Sequence, residues 1–276
     1  MRYLFLIFIL FNTLACSRSD VLVRFFDTLA VSEADDYFDL TSEQKENLKK
    51  NIQKDLGRAK KELFPEVAKK LRELEPAVAK DTLDAQKVAA QFADFQTYVK
   101  KFSSYFKDSA IKTTLSLKPS QYDHFSGELH KEIQKSEDRN GDSDHAQREA
   151  YKRYRRSLEF WVGGISKDQR DRLNKFLETH PFPWKLQNQN KEHVLSQFLE
   201  ARKNPETLKK FVGDFYEDFE AVRLPAYTEA LDAHKKAFQN FLVNDFWKTL
   251  SEVQRKRLRE NILDRAQELE KIAEST

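Results

Sequence analysis

Five oxygen-bearing residues, Asp138, Asn140, Asp142, Asp144 and Glu149, stand at positions 1, 3, 5, 7 and 12 of one twelve-residue span. Calcium takes six to eight oxygen ligands, and alternate acidic or amide side chains closing on a bidentate glutamate supply them in a helix-flanked loop. Two departures weigh against a metal loop here. The glycine of the turn is Gly141, at position 4, so Ser143 occupies position 6, where the sharp turn needs glycine; His145 takes the usually apolar position 8. An acidic, soluble linker over 138–144 with no metal is therefore expected. The remaining chemistry-bearing residues are dispersed. The six histidines (124, 130, 145, 180, 193 and 234) form no ligand pair, and the chain has no phosphate loop, no His-Glu-x-x-His and no Gly-x-Ser-x-Gly. The expectation is a protein that is not an enzyme and carries no cofactor.

The single cysteine is the other residue with chemistry of its own. Met1-Arg2-Tyr3 opens with a positive charge, Leu4 to Phe11 is an unbroken apolar run, and Asn12-Thr13-Leu14-Ala15-Cys16 follows. The run is too short for a stable transmembrane helix, so a secretory signal over 1–15 is expected. Leu14-Ala15-Cys16 resembles the lipobox of bacterial lipoproteins, with Thr13 where that group prefers Leu. The resemblance implies cleavage before Cys16, lipidation of Cys16 and anchorage to a membrane. Ser17, in place of Asp, implies the outer membrane as the site, facing the periplasm. The plain alternative is an ordinary cleaved signal followed by a chance cysteine. A lone cysteine in an exported chain needs an explanation, and lipidation supplies one.

The elements that would position any site are helical. The 276 residues are 39% hydrophobic and 34% charged, with only six glycines and seven prolines, a balance that favours helix over sheet. Lys and Arg (48) nearly cancel Asp and Glu (45), so no nucleic-acid partner is implied. Lys152, Arg153, Arg155 and Arg156 lie off the seam formed by Tyr151, Tyr154, Leu158 and Trp161, as on a solvated helix face.

Helix starts are marked by a recurring capping box. Leu40-Thr41-Ser42-Glu43-Gln44, Ile165-Ser166-Lys167-Asp168-Gln169 and Leu250-Ser251-Glu252-Val253-Gln254 each place Gln three residues after a Thr or Ser cap. The cap hydroxyl then takes the Gln N–H while the Gln amide returns to the cap N–H. Leu117-Lys118-Pro119-Ser120-Gln121 keeps the Leu and the Gln, with Lys118 at the cap and Pro119 in the first turn, where proline is tolerated. The spacing Gln44–Gln121–Gln169–Gln254 runs long, short, long, which suggests two copies of one unit.

Apolar spacing fills in the rest. Val21, Leu22, Phe25, Phe26 and Leu29 suggest a short helix after the anchor. Leu48 to Leu74 form one stripe that Pro65 should kink and Pro76 should end. Asp81 is a candidate cap for a helix whose Phe92, Phe95, Val99, Phe102 and Phe106 form a core seam, and another helix should run from about Pro119 to Lys135. Gly163-Gly164 and His180-Pro181-Phe182-Pro183 are breaks, and Asn204-Pro205 and Pro225 are further boundaries. The expected fold is all-α: about eight amphipathic helices in two tandem helical-hairpin units. The expected boundaries are 16–35 for anchor and short helix, 36–137 for the first unit, 138–144 for the linker and 145–276 for the second unit.

Asp35-Asp36-Tyr37-Phe38-Asp39-Leu40-Thr41-Ser42-Glu43-Gln44-Lys45 resembles the entry motif of an uncharacterised family of Gram-negative lipoproteins, Asp-Asp-Tyr-x-x-Leu-Thr-x-x-Gln-Lys. A later Arg-rich helix ending in Trp-x-Gly, here Arg153 to Gly163, and the following box at Gln169 extend the resemblance to about residue 225. It implies an all-helical envelope lipoprotein and brings no activity. The Leu-Thr-x-x-Gln pattern is also similar to that of Spy-type periplasmic chaperones and stress sensors, which are about half as long; this implies protein partners or unfolded clients. The functional expectation is a non-enzymatic envelope lipoprotein that binds other proteins through helical surfaces. The alternative is a structural or accessory subunit of an outer-membrane assembly with one fixed partner.

Overall fold

A computed structural model describes residues 23–79 and 84–275, and the described residues hold helices and no strand. The signal segment, Cys16 and Asp81 lie outside the described residues. The fold is all-α. Its helices are α1 (Phe26–Phe38), α2 (Ser42–Glu62), α3 (Phe64–Ala79), α4 (Ala85–Tyr105), α5 (Lys107–Leu115), α6 (Pro119–Asn140), α7 (Ser143–Val162), α8 (Lys167–Thr179), α9 (Trp184–Ala201), α10 (Pro205–Glu217), α11 (Pro225–Phe241) and α12 (Glu252–Glu274). A π-helical turn, Leu242–Phe246, and a 3-10 turn, Trp247–Thr249, join the last two.

The count exceeds eight because long helical stretches divide at single residues. Leu63 separates α2 from α3, and Pro65 then sits in the first turn of α3, where a missing N–H forfeits nothing. Phe106 separates α4 from α5 in the same way. Pro76 does not end α3, which continues to Ala79. So close to the C-terminus its ring forfeits only the bond to the Arg72 carbonyl, and three further residues keep helical geometry.

Both halves run in the same order. α1 stops at Asp39 and α7 at Gly163, each with positive φ (48° and 82°). A boxed helix follows (α2; α8), then three helices (α3–α5; α9–α11), then a second helix with Gln at the third position (α6; α12). The halves are packed together. α12 lies antiparallel along α3, with Arg72 donating to both Glu270 oxygens (2.7 and 2.6 Å) and Arg259 donating to Glu75 (2.5 Å). Ala68 and Ala266 are 0% exposed, so small side chains allow close approach. One core thus joins α1 to α4 with Ala266, Leu269 and Ile272 of α12. A second surrounds Leu173, Phe176 and Leu177 of α8 with α7 and α11, and a third joins α5 and α6 to α9 and α10.

Two apolar stripes sit differently from their sequence pattern. On α1 the buried apolar side chains are Phe26, Ala30, Ala34 and Tyr37, whereas Phe25 (52%), just before it, and Leu29 (43%) are exposed. Ala30 and Ala34, between the aromatic side chains of Phe26 and Tyr37, face the neighbouring helices, and Phe25 and Leu29 do not. On α4 only the second half of the seam is core: Val99, Phe102 and Phe106 are buried, while Phe92 and Phe95 are 36% and 39% exposed.

Candidate functional site

Four glutamines form a repeated polar arrangement among the described residues. Each Oε1 accepts the N–H of its own cap residue: Thr41 to Gln44 (2.9 Å), Lys118 to Gln121 (2.9 Å), Ser166 to Gln169 (2.8 Å) and Ser251 to Gln254 (3.0 Å). The Thr41, Ser166 and Ser251 hydroxyls accept the reciprocal Gln N–H at 3.3, 3.2 and 3.2 Å. Lys118 has no such hydroxyl, and the Gln121 N–H is met by the Lys118 carbonyl instead (2.9 Å).

The glutamines then pair across the fold. Gln44 and Gln121 donate to each other (3.1 and 2.9 Å), as do Gln169 and Gln254 (3.0 and 2.9 Å). Each Nε2 also donates to the carbonyl two residues before the partner's cap: Gln44 to Ser116, Gln121 to Asp39, Gln169 to Thr249 and Gln254 to Gly164. Two helix starts far apart in sequence are locked face to face, twice, by the same bonds. Sequence reasoning finds the caps but not the pairing. One signal for it exists: all four boxes carry Gln, although Glu caps as well. Only an amide can accept from its own cap and donate to a partner at once.

The acidic-aromatic entry motif is the frame of the first pair. Asp35 accepts the Leu40 N–H (2.9 Å) and pairs with Lys45 (2.6 Å), while Asp39 takes the left-handed conformation that a short polar side chain tolerates. Leu40 is 3% exposed, and Phe38 stacks on Phe125 with centroids 4.6 Å apart. The Tyr37 hydroxyl donates to Glu132, which also accepts from Lys191 (2.8 Å). Burial raises the Glu132 pKa, but these two bonds and the Lys191 charge outweigh it and hold the carboxyl below its ordinary value. The second frame is simpler. Gly163 ends α7, and Asn261 of α12 donates to the Phe160 and Trp161 carbonyls, each at 2.8 Å.

The acidic segment is spread over two helices. α6 runs through Asp138 to Asn140, beyond the expected end at Lys135, and α7 starts at Ser143; the break is Gly141 and Asp142 alone. Asp138 accepts from Gln134, Asn140 donates to the Ser136 carbonyl, Asp142 caps the Asp144 N–H, and Glu149 pairs with Lys152. Four of the five are thus engaged locally on their own helices. Among the described residues no three His, Cys, Asp or Glu side chains are grouped to hold a metal. The basic residues of α7 point outward, and Tyr154 turns inward to meet His234 Nε2 at 2.5 Å.

One surface feature stands out. The described first half of α4, through Thr97, contributes no buried side chain, yet carries Phe92 and Phe95 one turn apart.

A profile built on one family matches residues 36–228, from the last turn of α1 to the first turn of α11. The chain belongs to the family of unknown function DUF6279. No curated protein and no solved structure matches the chain. The DUF6279 region contains the entry motif from Asp36 onward, the first glutamine pair and Gln169. Gln254, which completes the second pair, lies beyond the region, as does α12. No described helix is long and apolar enough to cross a membrane.

Proposed function

We propose that this DUF6279 protein is a non-enzymatic envelope lipoprotein, held at the outer membrane through Cys16, that binds other proteins on its helical surface in the manner of a Spy-type chaperone. The lipobox-like Leu14-Ala15-Cys16 supports the address. The observation that carries the binding activity is the first half of α4, where Phe92 and Phe95 remain 36% and 39% exposed on a stretch whose described residues contribute no buried side chain. Apolar side chains clustered on one exposed helix face are a recurrent mark of protein contact.

The test is a pull-down from membranes under conditions that preserve the lipid, comparing the parent with a Phe92→Ser/Phe95→Ser variant. The parent should capture many proteins at low occupancy, and the variant few. One stoichiometric companion would instead identify a subunit of an envelope assembly. An unchanged set of captured proteins in a folded variant would remove α4 as the binding face.

A further inference from the structure

A partly open cavity of about 190 Å³ lies where α1, α2, α4, α5 and α6 of the first half meet α9 and α10 of the second. Protein interiors pack with few voids larger than a water molecule, so a space of this size is exceptional. Its walls are apolar: Phe26 and Phe102 stand on one side, Phe198 and Phe211 on another, and Ala30 and Ala34 leave the α1 wall low. The hydroxyls in the wall are mostly committed. Ser109 donates to Asp55, and Thr114 donates to the Ala110 carbonyl (2.7 Å). Tyr216 differs. It lines the cavity, burial alone pushes its pKa to about 12, and no hydrogen bond to another residue contributes.

We propose that this cavity holds the end of a saturated hydrocarbon chain from an amphiphile, packed against its phenylalanine and alanine walls. A dry apolar cavity of about 150 Å³ already accepts a benzene-sized guest, so 190 Å³ takes a short length of chain. No Lys, Arg, Asn or Gln lines the space, so nothing in it recognises a charged headgroup, which must stay outside. The occupant is therefore defined by its hydrocarbon end. Free fatty acids and membrane lipids share that chemistry.

The experiment uses the full chain with Cys16→Ser, so that no covalent lipid competes. It is titrated separately with dodecanoate and with phosphatidylethanolamine–phosphatidylglycerol vesicles, following displacement of a fluorescent fatty acid and the melting temperature. One source should bind saturably, displace the probe and raise the melting temperature, and that source is then the ligand. Ala34→Phe and Val194→Phe fill the space from opposite walls. Each should weaken binding at least tenfold while melting no lower than the parent without ligand, and two variants guard against misfolding of one. Saturation by neither source overturns the proposal, as does undiminished binding in a filled, folded variant.

Discussion

At the scale of single residues, the amide of Gln169 shows how little freedom the joint allows. It is 1% exposed; its oxygen serves the Ser166 N–H, and its nitrogen serves Thr249 and Gln254. Gln169→Glu keeps shape and acceptor but puts a carboxylate where a donor is required. A buried carbonyl left without a donor costs about 1–3 kcal/mol, so chemical denaturation at pH 7 should show a loss of at least that order. Part of it should return in acid, where a protonated carboxyl donates again. A loss independent of pH would mean that the nitrogen bonds contribute little. His234 gives a second, opposite pH test. Burial lowers its pKa from 6.5, and Tyr154 meets its Nε2. Its Nδ1 makes no well-formed hydrogen bond, although the His180 and Pro181 carbonyls lie nearby. Below about pH 6.5 the unfolded chain binds a proton that the folded chain refuses, so stability is full above that value and falls as pH drops through it. The melting temperature of the parent should therefore decline between pH 7.5 and 5.5 more steeply than that of His234→Gln. Equal slopes would assign the acid sensitivity to other groups.

At the scale of elements, stop signals matter as much as starts. Gly163 ends α7 at φ 82° and ψ −157°, a region that essentially only glycine visits. Gly163→Ala should cost about 1–3 kcal/mol from backbone strain, because the nearest atom to an added Cβ, at 3.8 Å, presents no clash. Gly164→Ala, which meets nothing within 4 Å and has no positive φ, is the control and should be almost neutral in thermal melts. Equal costs would point to side-chain crowding rather than backbone conformation. Helix starts were legible in the sequence because caps are local chemistry: Thr41, Ser166, Ser251 and Asn204 each hold the N–H groups their positions imply. Helix ends were less so. α6 runs five residues past Lys135, since Glu137, Asp138 and Arg139 are as much at home in a solvated helix as in a linker. The first half of α4 departs from the expected core seam for a related reason. Periodicity says that a side is apolar, while burial depends on which helix arrives to cover it.

At the scale of the whole molecule, the all-α class and the repeated order of elements could be anticipated from composition and from four boxes. What could not be anticipated is that the last helix, while bonded to α7 and α8 of its own half, also runs along α3 of the other. Arg72, Glu75, Arg259 and Glu270 occur in a chain with 95 other charged or histidine side chains to choose among as partners, so nothing marks these four beforehand. Exposed ion pairs of this kind are worth about 0–1 kcal/mol. The alignment rests instead on Ala68, Ala266 and Leu269, whose role depends on close approach and not on residue type. The cavity beneath α1 was equally hidden, because a void is the sum of several small side chains set on different helices.

The paired glutamines also bear on the order in which the chain assembles. Their partners are 77 and 85 residues apart, so neither pair can close until the intervening helices have condensed. The amide bridge therefore acts as a latch and not as a nucleus: it forms late on the way in and opens early on the way out. Substitutions there should fall on the unfolding limb of a chevron plot and leave the folding limb almost unmoved. Gln44→Ala is the variant in which to measure it, with Thr41→Ala beside it as a change confined to one helix start. A Gln44→Ala chain that folds markedly more slowly would place the bridge in the transition state. If the latch closes late, what it confers is persistence: the assembled molecule stays shut longer than its equilibrium stability alone would suggest.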